Sequence, residues 1–145
     1  MASIDEELKR VWLFGDLSQR QLNRLGRSCR ERRFRPGTTM VRQGEMSGVD
    51  FFVIVEGEAS VAVDGEEVGK LGPGDHFGEL ALISEQVRSA TVTATTPLRC
   101  LSMATWHFRR FVKDNPGTAW KLLQHVVREL TAEQRSGPDA FHAAR

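Results

Sequence analysis

The 145-residue chain has no apolar run approaching the roughly 20 residues that span a bilayer, so no membrane span is expected. Its first residues, MASIDEELKR, place acids where a secretory leader would need an apolar core, and a cytoplasmic location is expected. Cysteine is scarce. Cys29 and Cys100 lie far apart with no metal-ligand spacing around either, which reads as two reduced, buried small hydrophobes rather than a disulfide. Charge of one sign is also missing: the net charge is +1, which marks neither a nucleic-acid protein nor a membrane-surface protein. The chain has no internal repeat and no low-complexity segment, and no motif places a Ser-His-Asp or Cys-His set, so no catalytic residue is assigned and an enzyme is not expected. What is present is ordinary for a globular domain, 40% hydrophobic and 27% charged residues in a length that buries one core.

The hydrophobic period changes twice along the chain. Residues 3–14 put Ile4, Leu8, Val11 and Trp12 at helical spacing, with acids in the first turn. Asp16 or Ser18 can cap a second helix whose apolar face is Leu17, Leu22 and Leu25. After Cys29 the texture becomes β. Pro36-Gly37 turns into a strand at 38–41, FFVIV at 51–55 and the alternation Ala59, Val61, Val63 make two more, and Asp64-Gly65 leads to another at 67–71. Gly72-Pro73-Gly74-Asp75 is a further turn, and strands return at 90–94 and 98–103 around a break at Thr96-Pro97. Many short strands with Gly-rich turns predict a small β-barrel or jelly roll. The period is then helical again. Trp106, Phe108, Phe111 and Val112 form one helix ending near Asn115-Pro116, and Trp120, Leu123, Val126, Val127 and Leu130 an amphipathic last one. From about Ser136 the tail reads as disordered.

The chemistry is concentrated in Phe77-Gly78-Glu79-Leu80-Ala81-Leu82-Ile83 and the following Arg88-Ser89-Ala90-Thr91. A glycine opening one short helical turn leaves backbone N–H groups free to point at an anion. Arg88 supplies a permanently charged fork that suits a phosphate. The Glu79 carboxylate would repel that phosphate and needs a donor of its own, such as a sugar hydroxyl. Together these groups describe a nucleotide with one compact phosphate.

FGELALISEQVRSAT resembles the phosphate-binding cassette of the cyclic nucleotide-binding domain family, joining two short motifs at the family's separation. The resemblance covers about residues 5 to 132. It implies an α+β, mainly β fold: an eight-stranded jelly-roll barrel flanked by N-terminal helices and by two C-terminal helices acting as hinge and lid. A single domain over residues 1–133 is expected, with 134–145 as tail. By resemblance Arg88 holds the exocyclic phosphate oxygens and Glu79 accepts the ribose 2′-hydroxyl. Gly78, Leu80 and Ala81 give backbone donors, and Phe77, Ser89, Ala90 and Thr91 complete the cassette. Phe108 and Phe111 pack behind it as the hinge, with Leu80 or Leu82 moving against them. Leu123, Val126 or Val127 covers the purine, with Trp120 a more distant candidate. Ser89 is ambiguous, since a hydroxyl there accompanies cGMP binding but also occurs in bacterial cAMP binders; cAMP is the expected ligand and cGMP the alternative.

Rival readings carry less. Jelly rolls also host cupin metalloenzymes, and His76 three residues before Glu79 resembles part of a cupin metal set. The remaining histidines, His107, His125 and His142, fall on helices or in the tail, so no metal is expected. A catabolite-activator-type transcription factor would need a helix-turn-helix module after the long helix, and the residues after Glu133 are too few for one. Arg24, Arg27, Arg30, Arg32, Arg33 and Arg35 read as a solvated helix face and edge strand. The initiating Met and short tail favour a stand-alone sensor answering to an unidentified effector protein. A piece of a channel, kinase or larger regulator, or a scaffold that binds no nucleotide, are the alternatives.

Overall fold

The computed structural model describes residues 3–45, 50–79, 88 and 90–136. Helices α1 (Ile4–Lys9) and α2 (Gln19–Gly26) flank a 3₁₀ turn at Trp12–Phe14. Eight strands follow among the described residues: β1 (Cys29–Phe34), β2 (Thr39–Val41), β3 (Asp50–Glu56), β4 (Ala59–Val63), β5 (Glu66–Leu71), β6 (His76–Phe77), β7 (Thr91–Ala94) and β8 (Leu98–Ala104). Helices α3 (Thr105–Asp114) and α4 (Pro116–Ser136) come last. The strands form two four-stranded sheets, ordered β1-β8-β3-β6 and β2-β7-β4-β5, whose pairings are antiparallel. This is the mainly β jelly roll with flanking helices that the sequence predicts. No described helix is long and apolar enough to cross a membrane. Of the expected tail, 134–145, residues 134–136 continue α4, and 137–145 lie outside the described residues.

Strand β3 explains how helices and barrel share one core. Phe51 and Val53 point to the helical side, where they join Leu101 and Met103 of β8 and Leu8, Phe14 and Phe108. Phe52 and Ile54 point between the sheets, to Val61, Phe77, Val92 and Cys100. Successive side chains of a strand point to opposite faces, and here both faces are covered, so FFVIV reads as an unbroken apolar run. On the helical side Phe108 stacks on Phe51 with centroids 4.1 Å apart, and Phe14 meets Phe51, Phe108 and Phe111 edge-on at 6.3 Å each. Each buried ring contributes on the order of 1.5–3 kcal/mol, which fixes α3 firmly on the back of β3. At the β4–β5 hairpin Asp64 (φ 53°) and Gly65 (φ 83°) both take the left-handed conformation that a tight two-residue turn requires.

Arg99 on β8 is buried, and its guanidinium binds Glu7 of α1, Glu56 of β3 (2.9 Å) and Glu31 of β1 (3.5 Å). The arginine-rich stretch is solvated as expected: Arg24, Arg27, Arg30, Arg33 and Arg35 are exposed, and β1 is a sheet edge. Arg32 is the exception, pairing with Asp50 at 3.1 Å and lying over Phe34 and Phe52. Both cysteines are free, and burial pushes each thiol up to about 12.

One helical expectation needs correction. The first helix stops at Lys9, where the Arg10 N–H caps back to Glu7 and Leu8, and the 3₁₀ turn then buries Leu13 and Phe14 while Trp12 faces outward. Ser18 is the cap of α2, in a reciprocal capping box with Gln21. In α4 the apolar stripe does not pack on the barrel: Trp120, Leu123 and Val127 are each more than half exposed. The packed side carries Thr118, Leu122 and His125 instead. The start of α4 is held by polar contacts. Asn115 donates to the Phe111 carbonyl at 2.7 Å and accepts from Gln21 at 2.8 Å, and the Lys121 ammonium donates to the Trp12 carbonyl at 2.8 Å and pairs with Asp16 at 2.9 Å.

Candidate functional site

Strand β6 lies beside β3, with Phe77 opposite Phe52 and His76 opposite Val53. Phe77 is fully buried and stacks on Phe52 at 4.8 Å, which fixes where the chain leaves the sheet. It leaves through Gly78 at φ 101°. A Cβ there would sit 2.7 Å from the Asp50 carbonyl oxygen and 3.1 Å from Arg88 Nη1, so both the conformation and the close approach require glycine. Glu79 follows in helical conformation.

Arg88 comes to the same spot from the other side. Its N–H donates to the Glu45 carbonyl at 2.8 Å and its carbonyl accepts from the Gly44 N–H at 2.9 Å, so the backbone is pinned to the 44–45 turn. Nη2 donates to the Asp50 carbonyl at 2.9 Å, which leaves Nη1 against Gly78. Burial pulls the guanidinium pKa below its ordinary value, opposed by the negative charges of Asp50 and Glu79. Arginine keeps its proton regardless, so the site holds a partly desolvated cation beside an open glycine backbone, a setting that favours an anion.

The Glu79 carboxylate is fully buried. His76 Nδ1 donates to Oε2 at 3.3 Å and His125 Nε2 donates to Oε1 at 3.1 Å, because an ionised carboxylate only accepts and each of these nitrogens must carry the proton. The two imidazole rings lie 4.9 Å apart. Burial pushes the Glu79 carboxyl up, but the charge of His76 and the hydrogen bonds from both rings outweigh it and hold the carboxyl below its ordinary value.

Phe77, Gly78, Glu79 and Arg88 are thus brought together. Ala90 is buried, and the Thr91 hydroxyl accepts from the Gln43 N–H at 3.0 Å, tying the end of the cassette to β2. Leu80, Ala81, Leu82 and Ser89 lie outside the described residues. On α4, Val126 is half-buried while Leu123 and Val127 face away from His125.

Sequence reasoning missed His125. The expectation that no further histidine reaches His76 and Glu79 is corrected, because α4 carries one across the barrel. A signal was present: His125 follows Leu122 by three and Thr118 by seven, so a helical wheel places it on their face rather than on the Trp120-Leu123-Val127 stripe. The Asp50 contact to Arg88 had no signal, since it uses a backbone carbonyl.

Comparison with known proteins places the chain in a family. A cyclic nucleotide-gated potassium channel of Rhizobium etli is 38% identical over 128 residues, 88% of this chain and 34% of the channel. A cAMP-dependent protein kinase regulatory subunit of Yarrowia lipolytica is 36% identical over 110 residues, 74% of this chain and 29% of that protein. The chain therefore spans about a third of the length of these curated relatives. The regulatory domain of Toxoplasma gondii protein kinase A, solved with cAMP, superposes with a TM-score of 0.75 at 30% identity, covering 87% of this chain and 49% of that one. Residues 31–115, more than half of the sequence, match the family model of the cyclic nucleotide-binding domain, and to that family this chain belongs.

Proposed function

We propose that this domain is a cAMP sensor without catalytic activity of its own, which signals to an effector protein by repositioning its C-terminal helices. The observation that carries the reading is the approach of Arg88 Nη1 to the bare backbone of Gly78, beside the buried Glu79 carboxylate. The cyclic phosphate sits between that guanidinium and the N–H groups of the turn beginning at Gly78, to which Leu80 and Ala81 contribute. Ser89 and Thr91 flank it. The ribose 2′-hydroxyl donates to Glu79, whose two oxygens are already taken by His76 and His125. Each oxygen keeps a second lone pair, but the carboxylate is fully buried, so a neighbour must move aside for the ribose to reach it, and His125 is the one carried on a helix that can leave.

This exchange of partners is the relay. A hydrogen bond to a charged group contributes about 1.5–3 kcal/mol, so losing the His125 contact removes a real tether of α4. Residues along a helix are about 100° apart, so a rotation of that size brings Val126 to the place of His125. About half a turn would bring Leu123 or Val127 over the purine. Those two side chains are exposed, so covering a base would bury apolar surface that now faces water.

Calorimetric titration with cAMP and with cGMP tests the reading and ranks the two. We expect saturable binding, tighter for cAMP, and a loss of about 2–5 kcal/mol in Arg88→Ala as a desolvated anion loses its partner. Folded, ligand-stripped protein that binds neither nucleotide would leave an interaction scaffold.

A further inference from the structure

We infer that His76, Glu79 and His125 form a binding site for a divalent transition metal ion of the zinc class, and that metal and nucleotide exclude one another there. The competition rests on the proposed ribose role of Glu79; the metal site does not. The donor atoms converge: His76 Nδ1 is 3.3 Å and His125 Nε2 3.1 Å from the two carboxylate oxygens, and all lie within 4.8 Å of one another. Donors of a tetrahedral zinc ion, each about 2.0–2.1 Å from the metal, stand roughly 3.4 Å apart. Each imidazole nitrogen already stands at that spacing from one of the two carboxylate oxygens, and because no donor pair lies farther apart than 4.8 Å, closing on a single ion shortens any pair by about 1.4 Å at most. His125 rides on a helix that can make that adjustment.

The donor types select the ion. Two imidazoles and a carboxylate suit zinc, copper or nickel, whereas magnesium and calcium take oxygen ligands. Three protein ligands leave a fourth position for water. Both histidines already direct a ring nitrogen at the carboxylate. Metal entry replaces those two N–H donors with lone pairs, the proton of each neutral ring passing to its other nitrogen or to solvent. His76 and Glu79 are fixed by β6 and Gly78, while His125 lies 46 residues beyond Glu79 on α4. A bound ion would therefore cross-link α4 to the barrel in the nucleotide-free arrangement and hold the carboxylate that the ribose needs.

The test uses the full chain, stripped with a chelator and titrated with zinc chloride alone, with cobalt(II) absorption as a fingerprint of a nitrogen–oxygen site. We expect one ion per chain, weakened roughly tenfold or more in His125→Ala and unchanged in His107→Ala, whose ring is exposed elsewhere on α3. Zinc should weaken cAMP binding in the wild type, and at least roughly tenfold more zinc should be needed for the same weakening in His125→Ala. Equal zinc affinity in wild type and His125→Ala would overturn the site, and zinc binding that leaves cAMP affinity unchanged would overturn the exclusion. Absence of cAMP binding in metal-free protein would instead sink the nucleotide reading, leaving the zinc titration to stand or fall alone.

Discussion

At Gly78 an added methyl group would meet the Asp50 carbonyl oxygen at 2.7 Å and Arg88 Nη1 at 3.1 Å, in a backbone held at φ 101°. Gly78→Ala therefore costs about 1–3 kcal/mol through backbone strain alone. It also pushes the guanidinium off the place where a phosphate would sit. We expect a lower melting temperature and a weaker nucleotide affinity in the same variant, read by thermal denaturation and by titration. An unchanged affinity would mean that Arg88 does not work from its present position. The sequence singled this glycine out because FGE and RSAT stand at the separation of the phosphate-binding cassette they resemble. The two histidines on Glu79 were not legible in the same way. His76 is a neighbour in sequence, but the second partner arrives through the packing of a helix on the barrel, and no local pattern encodes that distance.

Among the elements, most strands were read from the alternation that marks each face of the sheet, and the unbroken run in β3 from both faces being covered, whereas the two-residue β6 was too short to leave a pattern. The first helix was misread at its end. Leu8, Val11 and Trp12 satisfy helical spacing, yet the burial of Leu13 and Phe14 against β3 draws the chain into a 3₁₀ turn that leaves Trp12 outside. Tertiary burial overrode a local period. The junction between helices and sheets depends on Arg99, which gathers carboxylates from α1, β1 and β3. Arg99→Ala leaves the buried Glu7 without its partner and should destabilise the fold by about 3–5 kcal/mol in denaturant unfolding. Adding Glu7→Gln should recover part of the loss, because the buried charge is then gone. A single variant as stable as the wild type would show the network to be a surface ornament.

At the scale of the whole molecule, the proposed relay depends on how α4 is held to the barrel. Its first turns are pinned by Asn115, Lys121 and Leu122, its middle is held to the barrel by His125, and its apolar stripe faces water. The sequence identified the stripe but could not say which way it pointed, because an apolar face on a helix fits packing and docking equally well. The choice depends on what the opposite face offers the barrel, and that face carries Thr118, Leu122 and the hydrogen-bonding imidazole of His125.

Trp12 lies under the two cations that α4 extends over it, Lys121 at 5.0 Å and Arg128 at 4.8 Å from the ring. The chain has three tryptophans and no tyrosine, so replacing Trp106 and Trp120 with phenylalanine leaves one dominant emitter. An indole is sensitive to charge held over its face. If cAMP turns α4, the colour and intensity of Trp12 emission should change with the same saturation curve as binding. Emission that stays constant while calorimetry records a bound nucleotide would mean that the helix does not move. The fold thus contains its own optical gauge, placed where an outward-turned residue meets the helix whose motion matters.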